Sequence, residues 1–286
     1  MKWLQAIKQQ LPKHKYAINA KLLGDDGLLA WSNLGLWSGT TLQKSNAYVQ
    51  ACQALAKQLA DSIKLNSQDR VLDLGCGQGA SLNFFKQYYA LKQLSGVELQ
   101  AECVKKIKHN MPQSVDVYCE SFLNLADIPF TEKFDAVLCI DAAYHSNLHH
   151  FLDNLQTVLA NDGRVAFHFL IFSEKWRYLS TVQKEKYRLL LKGADVDALH
   201  IYSKTRTEEI LRQHHFKDIE IEDLSEKVFL GFSKYIALKK QSGAWTSAKQ
   251  NFLDILKITM TAKLCHKLYQ DGVVRYVKIT AKNAKA

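Results

Sequence analysis

The run Arg70-Val71-Leu72-Asp73-Leu74-Gly75-Cys76-Gly77-Gln78-Gly79 constrains the fold of this chain more than any other segment. A short apolar stretch that stops at closely spaced glycines reads as a buried strand feeding a tight turn. Glycines there let the backbone approach a ligand at the carboxyl end of a strand, where open α/β sheets bind. The flanking pattern supports such a sheet. Leu42, Val49, Cys52, Leu55, Ala56, Leu59 and Ile63 recur at a helical period. Residues 80–91 and 100–110 read as helices, and 94–98, 115–119 and 134–140 as strands. A helix over 151–159 then meets the turn Asn161-Asp162-Gly163 and a strand over 164–171. Strands alternating with helices predict a parallel sheet with right-handed crossovers. After Phe172 the pattern changes: 174–200, 207–214, 226–240 and 246–269 read as helices, 217–221 and 273–280 as strands.

The expected organisation is one α/β domain over 1–286. It comprises a helical N-terminal extension (1–64), a ligand-binding core (65–172), a helical insertion read as a lid (173–204), and the rest of the sheet (205–286) with a second helical insertion (226–270). The glycines alone do not name the ligand. Gly75-x-Gly77-x-x-Ala80 satisfies the loose dinucleotide fingerprint, whereas the phosphate-binding pattern G-x-x-x-x-G-K-[ST] is absent. Asp73 discriminates. A carboxylate beside the loop repels a pyrophosphate at a helix N-terminus and suits a ligand that carries positive charge, such as the ammonium and sulfonium of S-adenosylmethionine. Glu98, at the end of the second strand, is placed to take ribose hydroxyls, a feature shared with NAD sites.

These residues resemble motif I of class I S-adenosylmethionine-dependent methyltransferases. Gly96-Val97-Glu98 resembles the acidic second-strand motif, and Cys119-Glu120-Ser121 through Ile128-Pro129-Phe130 the stretch that packs the adenine, with Glu for Asp and Ser for Ala. Phe134-Asp135-Ala136-Val137-Leu138 resembles the fourth-strand motif. Residues 155–165 resemble the turn before strand five, with its Pro and one Gly replaced by Asn161 and Asp162. The resemblance covers about 33–225 and 273–282 and is specific for fold and cofactor, not for substrate. It implies a Rossmann-like, doubly wound, seven-stranded, mostly parallel sheet with an antiparallel last strand. It also implies a cofactor site formed by Trp37, Asp73, Gly75, Cys76, Gly77, Gly79, Glu98, Leu99, Glu120, Ser121 and Ile140. Asn33-Leu34-Gly35-Leu36-Trp37 with Tyr48 resembles the segment that folds over the cofactor in small-molecule members of the sarcosine and phosphoethanolamine types. A core role for both aromatics is the competing reading.

The fourth strand ends in Ile140-Asp141-Ala142-Ala143-Tyr144-His145, which places Asp141, Tyr144 and His145 by the transferable methyl. The pattern faintly resembles the Asn/Asp-Pro-Pro-Tyr of nucleobase amino methyltransferases, with both prolines replaced by Ala. His145 is the candidate base, Tyr144 offers a π-face, and Asp141 a hydrogen-bond acceptor. Asp141, His145 and His149 are spaced four apart, as metal ligands on one helix face would be. A loop in the first half breaks that alignment, so no metal is expected. His214-His215 reads as surface.

The net charge of +10 is uneven: +5 over 1–21, +9 over 233–286 and −4 between them. The basic ends allow an RNA or protein methyltransferase as an alternative, yet no RNA-binding module accompanies them. A catalytically silent cofactor-binding protein is a further alternative. The expected reading is transfer of a methyl group to N, O or C of a small molecule, with the basic helices inviting an acidic or phosphate-bearing acceptor. In the helix over 246–269, Phe252, Leu256, Met260, Leu264 and Leu268 form a stripe expected to pack on the domain. No segment reaches the length of a membrane span. Six scattered cysteines without a Cys-x-x-Cys pair, and an N-terminus without a signal-like apolar run, place the chain in the cytoplasm. Nothing in the pattern fixes an oligomeric state.

Overall fold

The computed structural model describes residues 19–39, 42, 46–111, 115–245 and 251–284. Its strands are β1 (Arg70–Leu74), β2 (Gln93–Glu98), β3 (Asp116–Cys119), β4 (Phe134–Cys139), β5 (Leu159–Phe172), β6 (Tyr202–Ser203), β7 (Phe216–Asp223) and β8 (Val274–Asn283). The main path runs β3-β2-β1-β4-β5-β8-β7, with β6 paired off it to the end of β5. β8 is antiparallel to both β5 and β7, and the other pairings are parallel. This is the sheet the sequence predicts, with one addition. β5 continues five residues past its last pairing with β4, at Phe167, and β6 covers part of that open edge at Ile171 and Phe172. β5 also begins earlier than expected. The turn at Asn161-Asp162-Gly163 is absorbed into the strand as an irregularity opposite Phe134 and Ala136, with Asp162 in the left-handed region.

Both faces of the sheet are covered, which is why its central strands read as unbroken apolar runs. Val71, Leu138 and Ala166 face a core shared with helices α1 (Ala47–Ser62), α2 (Ala80–Tyr88), α3 (Ala101–Asn110), α7 (Gly231–Gln241) and α8 (Phe252–Asp271). Leu72, Val137, Val165 and Phe167 face α4 (Leu148–Val158) and α6 (Lys204–Gln213) on the other side. Helix α5 (Thr181–Lys192) lies in the insertion after β5 and opens with a Ser180–Gln183 capping box. Tyr187 on α5 donates a hydrogen bond to Asp271 on α8 at 2.5 Å, tying the two insertions together.

Within the expected helical N-terminal extension, the described helical parts are a 3-10 turn at Ala20–Leu23 and α1. Residues 24–39 between them form no helix. Asp25 folds that segment by accepting from the Gly27 and Trp31 amides, and Leu34 N–H anchors it to Asp141 at the end of β4.

Two expectations about side chains need correction. Trp37 is a core residue: its indole stacks on Tyr235 at 4.4 Å between centroids and donates to Leu34 O at 2.7 Å. Tyr48 is likewise fully buried, its hydroxyl donating to Asn33 O at 3.0 Å. The stripe of α8 packs on the domain only at its C-terminal end: Phe252, Leu256 and Met260 are exposed, Leu264 is half-buried against the core, and Leu268 is buried with Ile258, Ala262 and Cys265. A spacing of four drifts around a helix of 3.6 residues per turn, so a stripe read that way crosses from one face to another.

Trp37 makes one stability prediction. A Cβ on Gly231 would sit 2.4 Å from Trp37 Cβ. Gly231→Ala should therefore lower unfolding free energy by about 2–3 kcal/mol by overpacking, even though alanine is the better helix former. Chemical denaturation measures it, and a variant as stable as the parent would refute this packing.

Candidate active site

β1 delivers the chain into the glycine loop. Gly75 and Cys76 amides both donate to Val97 O, at 2.8 and 3.3 Å, folding the loop over the end of β2. Gly79 then starts α2 with φ +89°, and a Cβ there would lie 2.7 Å from Ile107 Cγ1 on α3. Only glycine meets both demands. Beyond the carboxyl ends of β1, β2 and β4 the loop borders a cavity of about 320 Å³. Gly75, Gly77, Glu98, Leu99, Ser121 and Ile140 line it among the residues expected for the cofactor, together with Asp141 and His145. Glu98 accepts from the Gly77 amide through Oε2 and from the Gln100 amide through Oε1, both at 2.9 Å. Two backbone bonds use half of the roughly four lone-pair sites of a carboxylate, so acceptor capacity remains for hydroxyls in the cavity. No Lys or Arg is among the described residues that line it.

The other expected cofactor residues sit differently. Cys76 borders a small cleft beside the cavity with Ser32 and Asn33. Gly79 is beneath the loop, as above. Asp73 is 1 % exposed and lies under the loop rather than in the wall. Its Oδ2 accepts from Ser81 Oγ at 2.5 Å, and its buried Oδ1 has no partner among the described residues. Burial, with the charge of Glu98 nearby, pushes this carboxyl up to about 7 despite the Ser81 bond. Glu120 turns back on its own loop, accepting from Ser121 N–H and Asn124 Nδ2, and Trp37 is packed in the core.

At the end of β4 the structure gathers a polar cluster around Asp141. This residue is in the left-handed region at φ 55° and is held there from several sides. Its Oδ1 accepts from Tyr144 at 2.7 Å and Tyr276 at 3.0 Å, its Oδ2 from Leu34 N–H at 2.8 Å, and its amide donates to His168 Nδ1 at 3.3 Å. Burial raises the Asp141 carboxyl to about 6, opposed by those three bonds to the charged form. His168 is buried on β5, and burial drives its pKa down to about 3, so the ring is neutral. Accepting at Nδ1 fixes the tautomer with the proton on Nε2. His145 Nδ1 is 3.0 Å from Asp195 O. A carbonyl only accepts, so Nδ1 carries the proton and Nε2 holds the lone pair of the neutral ring.

Asp141 and His145 also line a second cavity, of about 450 Å³, with Ser32 as a third shared residue and Tyr144 and Tyr276 in its wall. The spacing of Asp141, His145 and His149 gathers no metal ligands. His149 turns to His214, at 2.9 Å between Nδ1 and Nε2, and His214 Nδ1 meets Asp153 at 2.9 Å. His214 thus joins a half-buried chain rather than lying on the surface. Among the described residues no group of three or more His, Cys, Asp or Glu could hold a metal ion.

Comparison with known proteins bears on what this arrangement is. Residues 72–167 match the family model described as "Methyltransferase domain". Residues 72–167 form a methyltransferase domain. An uncharacterized methyltransferase of Schizosaccharomyces pombe is 28% identical over 109 residues, 38% of this chain and 39% of that protein. The chain spans between about a quarter and two-fifths of the length of the curated relatives it matches. A solved geranyl diphosphate C-methyltransferase from Streptomyces coelicolor A3(2), in complex with S-adenosyl-L-homocysteine, superposes with a TM-score of 0.68 at 17% identity, covering 96% of this chain and 99% of that one. A putative sarcosine dimethylglycine methyltransferase from Galdieria sulphuraria gives 0.73 at 14% identity, covering 92% and 96%.

In this methyltransferase domain, sequence reasoning missed several residues of the site. Ser32 and Asn33 line the first cavity, a few residues before the Trp37 that was expected there. The segment was recognisable, but an aromatic drew attention from the small polar residues beside it. Phe122 lines the same cavity and packs edge-on against Phe151 at 5.7 Å between ring centroids. Tyr276 and His168 come from β8 and β5, and only their pairing across the sheet brings them to Asp141.

Proposed function

We propose that this chain transfers the methyl group of S-adenosylmethionine to a small molecule. The observation that carries the reading is that the loop-side cavity and the second cavity share Ser32, Asp141 and His145. Loop residues and acceptor would then meet across one wall. The first cavity fits the cofactor in size and charge: glycines at one end, the Glu98 carboxylate at another, Asp73 beneath, and no Lys or Arg among the described lining residues. When bound, the cofactor supplies an electrophilic methyl on a cationic sulfur. The Glu98 carboxylate offers the remaining lone pairs to ribose hydroxyls, and the peptide edges of Gly75 and Gly77 allow close approach.

The chemistry asked of the protein is alignment and exclusion of water. Helices α5 and α8 with their flanking loops would cover the acceptor. Asp141 and the tyrosines bonded to it would stabilise positive charge as it moves toward the acceptor. His145 Nε2 would take the proton of a nucleophile that must lose one. An acidic group on the acceptor would meet Lys257, which lines the second cavity. All six cysteines are free thiols, which supports a reducing, cytoplasmic setting. Among the described residues, no helix is long and apolar enough to cross a membrane.

Calorimetry with S-adenosylmethionine and S-adenosylhomocysteine tests the first step. Labelled-methyl transfer into a cell extract tests the second: label should enter the small-molecule fraction, and label in RNA or protein would overturn the acceptor class. On the acceptor so found, His145→Ala should lower kcat about 100-fold with KM little changed. Near-normal turnover would remove His145 as the base.

A further inference from the structure

The second cavity has a chemical character of its own. It shares Ser32, Asp141 and His145 with the cofactor cavity, but away from that wall it is bounded by Leu170 of the sheet, Leu191 and Val196 of the first insertion, and Leu264 and Leu268 of α8. Several polar groups in this region are already engaged. Thr261 Oγ1 donates to the Lys257 carbonyl one turn back at 3.0 Å, and the Asp195 carbonyl accepts from His145. The hydroxyls of Tyr144 and Tyr276 are bonded to Asp141, so beyond that cluster the wall is mainly apolar apart from Lys257, which would meet an acidic head. It offers few partners to replace the water around a compact zwitterion or polyol, and stripping that water without new hydrogen bonds is costly. It suits a hydrocarbon body, whose transfer from water is favourable in proportion to the area buried.

The mouth points the same way. Leu189 on α5 and Met260 on α8 line the cavity yet are 71% and 56% exposed. On α8 the apolar line continues outward through Leu256 and Phe252, also exposed. The helix buries a different face, so these side chains are not needed to hold it on the domain.

We propose that the acceptor is an amphiphile whose hydrocarbon chain occupies the cavity between α5 and α8, its reacting atom at Asp141 and His145. This rests on the methyltransferase reading and names the substrate class for the same site. A compact polar acceptor is the alternative it excludes.

The test uses cis-parinaric acid, whose fluorescence rises on entering a hydrocarbon pocket, below its micelle concentration and with S-adenosylhomocysteine present. The expected result is saturable binding of one probe per chain. Displacement by 1-hexanol, 1-octanol and 1-decanol should strengthen about three- to fourfold for each added methylene. Leu264→Trp should fill the cavity and weaken the probe at least tenfold. Met260→Glu, at an exposed position where folding is not at stake, should weaken it severalfold. Absence of saturable binding, no dependence on chain length, or probe affinity unchanged in both variants would each overturn the proposal. Calorimetry with S-adenosylhomocysteine on the same proteins separates the two readings. Affinity kept alongside a failed probe overturns the hydrocarbon acceptor alone. Cofactor affinity missing from the parent protein overturns the methyltransferase reading itself.

Discussion

Glu98→Ala is expected to weaken S-adenosylhomocysteine binding by about 100-fold or more, read by calorimetry, with little change in fold. Glu98 does two jobs at once. Its oxygens hold the Gly77 and Gln100 amides at 2.9 Å, so it shapes the loop from inside. Its carboxylate also lines the cavity, where its spare lone pairs are the natural partners of a ribose. Removing it leaves two backbone donors without acceptors and the ligand without its strongest one. Each loss is worth about 1–3 kcal/mol when the partner is charged or buried, and 2.7 kcal/mol corresponds to about 100-fold. Glu98→Gln should lie between, because a neutral amide keeps one acceptor oxygen where the carboxylate has two. Alanine within threefold of the parent would show that the ligand does not reach this carboxylate.

Asp73→Asn is expected to stabilise the empty protein at pH 8 and to weaken the cofactor. Burial raises this carboxyl to about 7, well above the ordinary 3.8. A carboxyl raised on folding binds more protons folded than unfolded between those two values, so it favours the fold at low pH and withdraws that support as pH rises through about 7. One pKa unit is about 1.4 kcal/mol, so the full withdrawal amounts to about 4 kcal/mol. Asparagine carries no such penalty and can still accept from Ser81. The variant should match or fall slightly below the parent at pH 4, because an amide donor replaces the buried Oδ1. It should gain steadily to pH 8, where thermal unfolding would show it ahead by several degrees. A parallel pH dependence of the two proteins would mean that Asp73 titrates normally. The affinity cost follows from the same charge: a ligand that brings a cation over the loop benefits from a carboxylate beneath it. Stability is given up at the site where a counter-charge is wanted.

How much of this was readable in the sequence depends on how local each signal is. The glycine loop, β1, β2 and Glu98 form within about thirty consecutive residues, and their spacing fixes their geometry. The sheet follows from alternation, because covered parallel strands and crossover helices leave distinct patterns. Trp37 was misplaced because an indole reads the same whether it walls a site or fills a core, and only its neighbour Tyr235, far along the chain, decides. The α8 stripe failed over Phe252, Leu256 and Met260, and held at Leu264 and Leu268, because a spacing of four is close to the helical repeat but not equal to it. His168 and Tyr276 carried no local mark at all. They matter because β5 and β8 lie side by side at the end of β4.

The antiparallel placement of β8 has a kinetic consequence. It joins β5 in a register that sets Arg164 beside Lys282, more than a hundred residues apart. Contacts of such long range form slowly, because the intervening chain must be ordered first. The loop between β1 and β2 needs no such reach. The glycine loop and the Asp141 cluster should therefore form at different times. The glycine loop and Glu98 are neighbours in sequence, while Tyr276 reaches Asp141 only when β8 docks. The loop that borders the first cavity can close within one βαβ unit, whereas the polar cluster around Asp141 stays incomplete until the last strand of the sheet is in place.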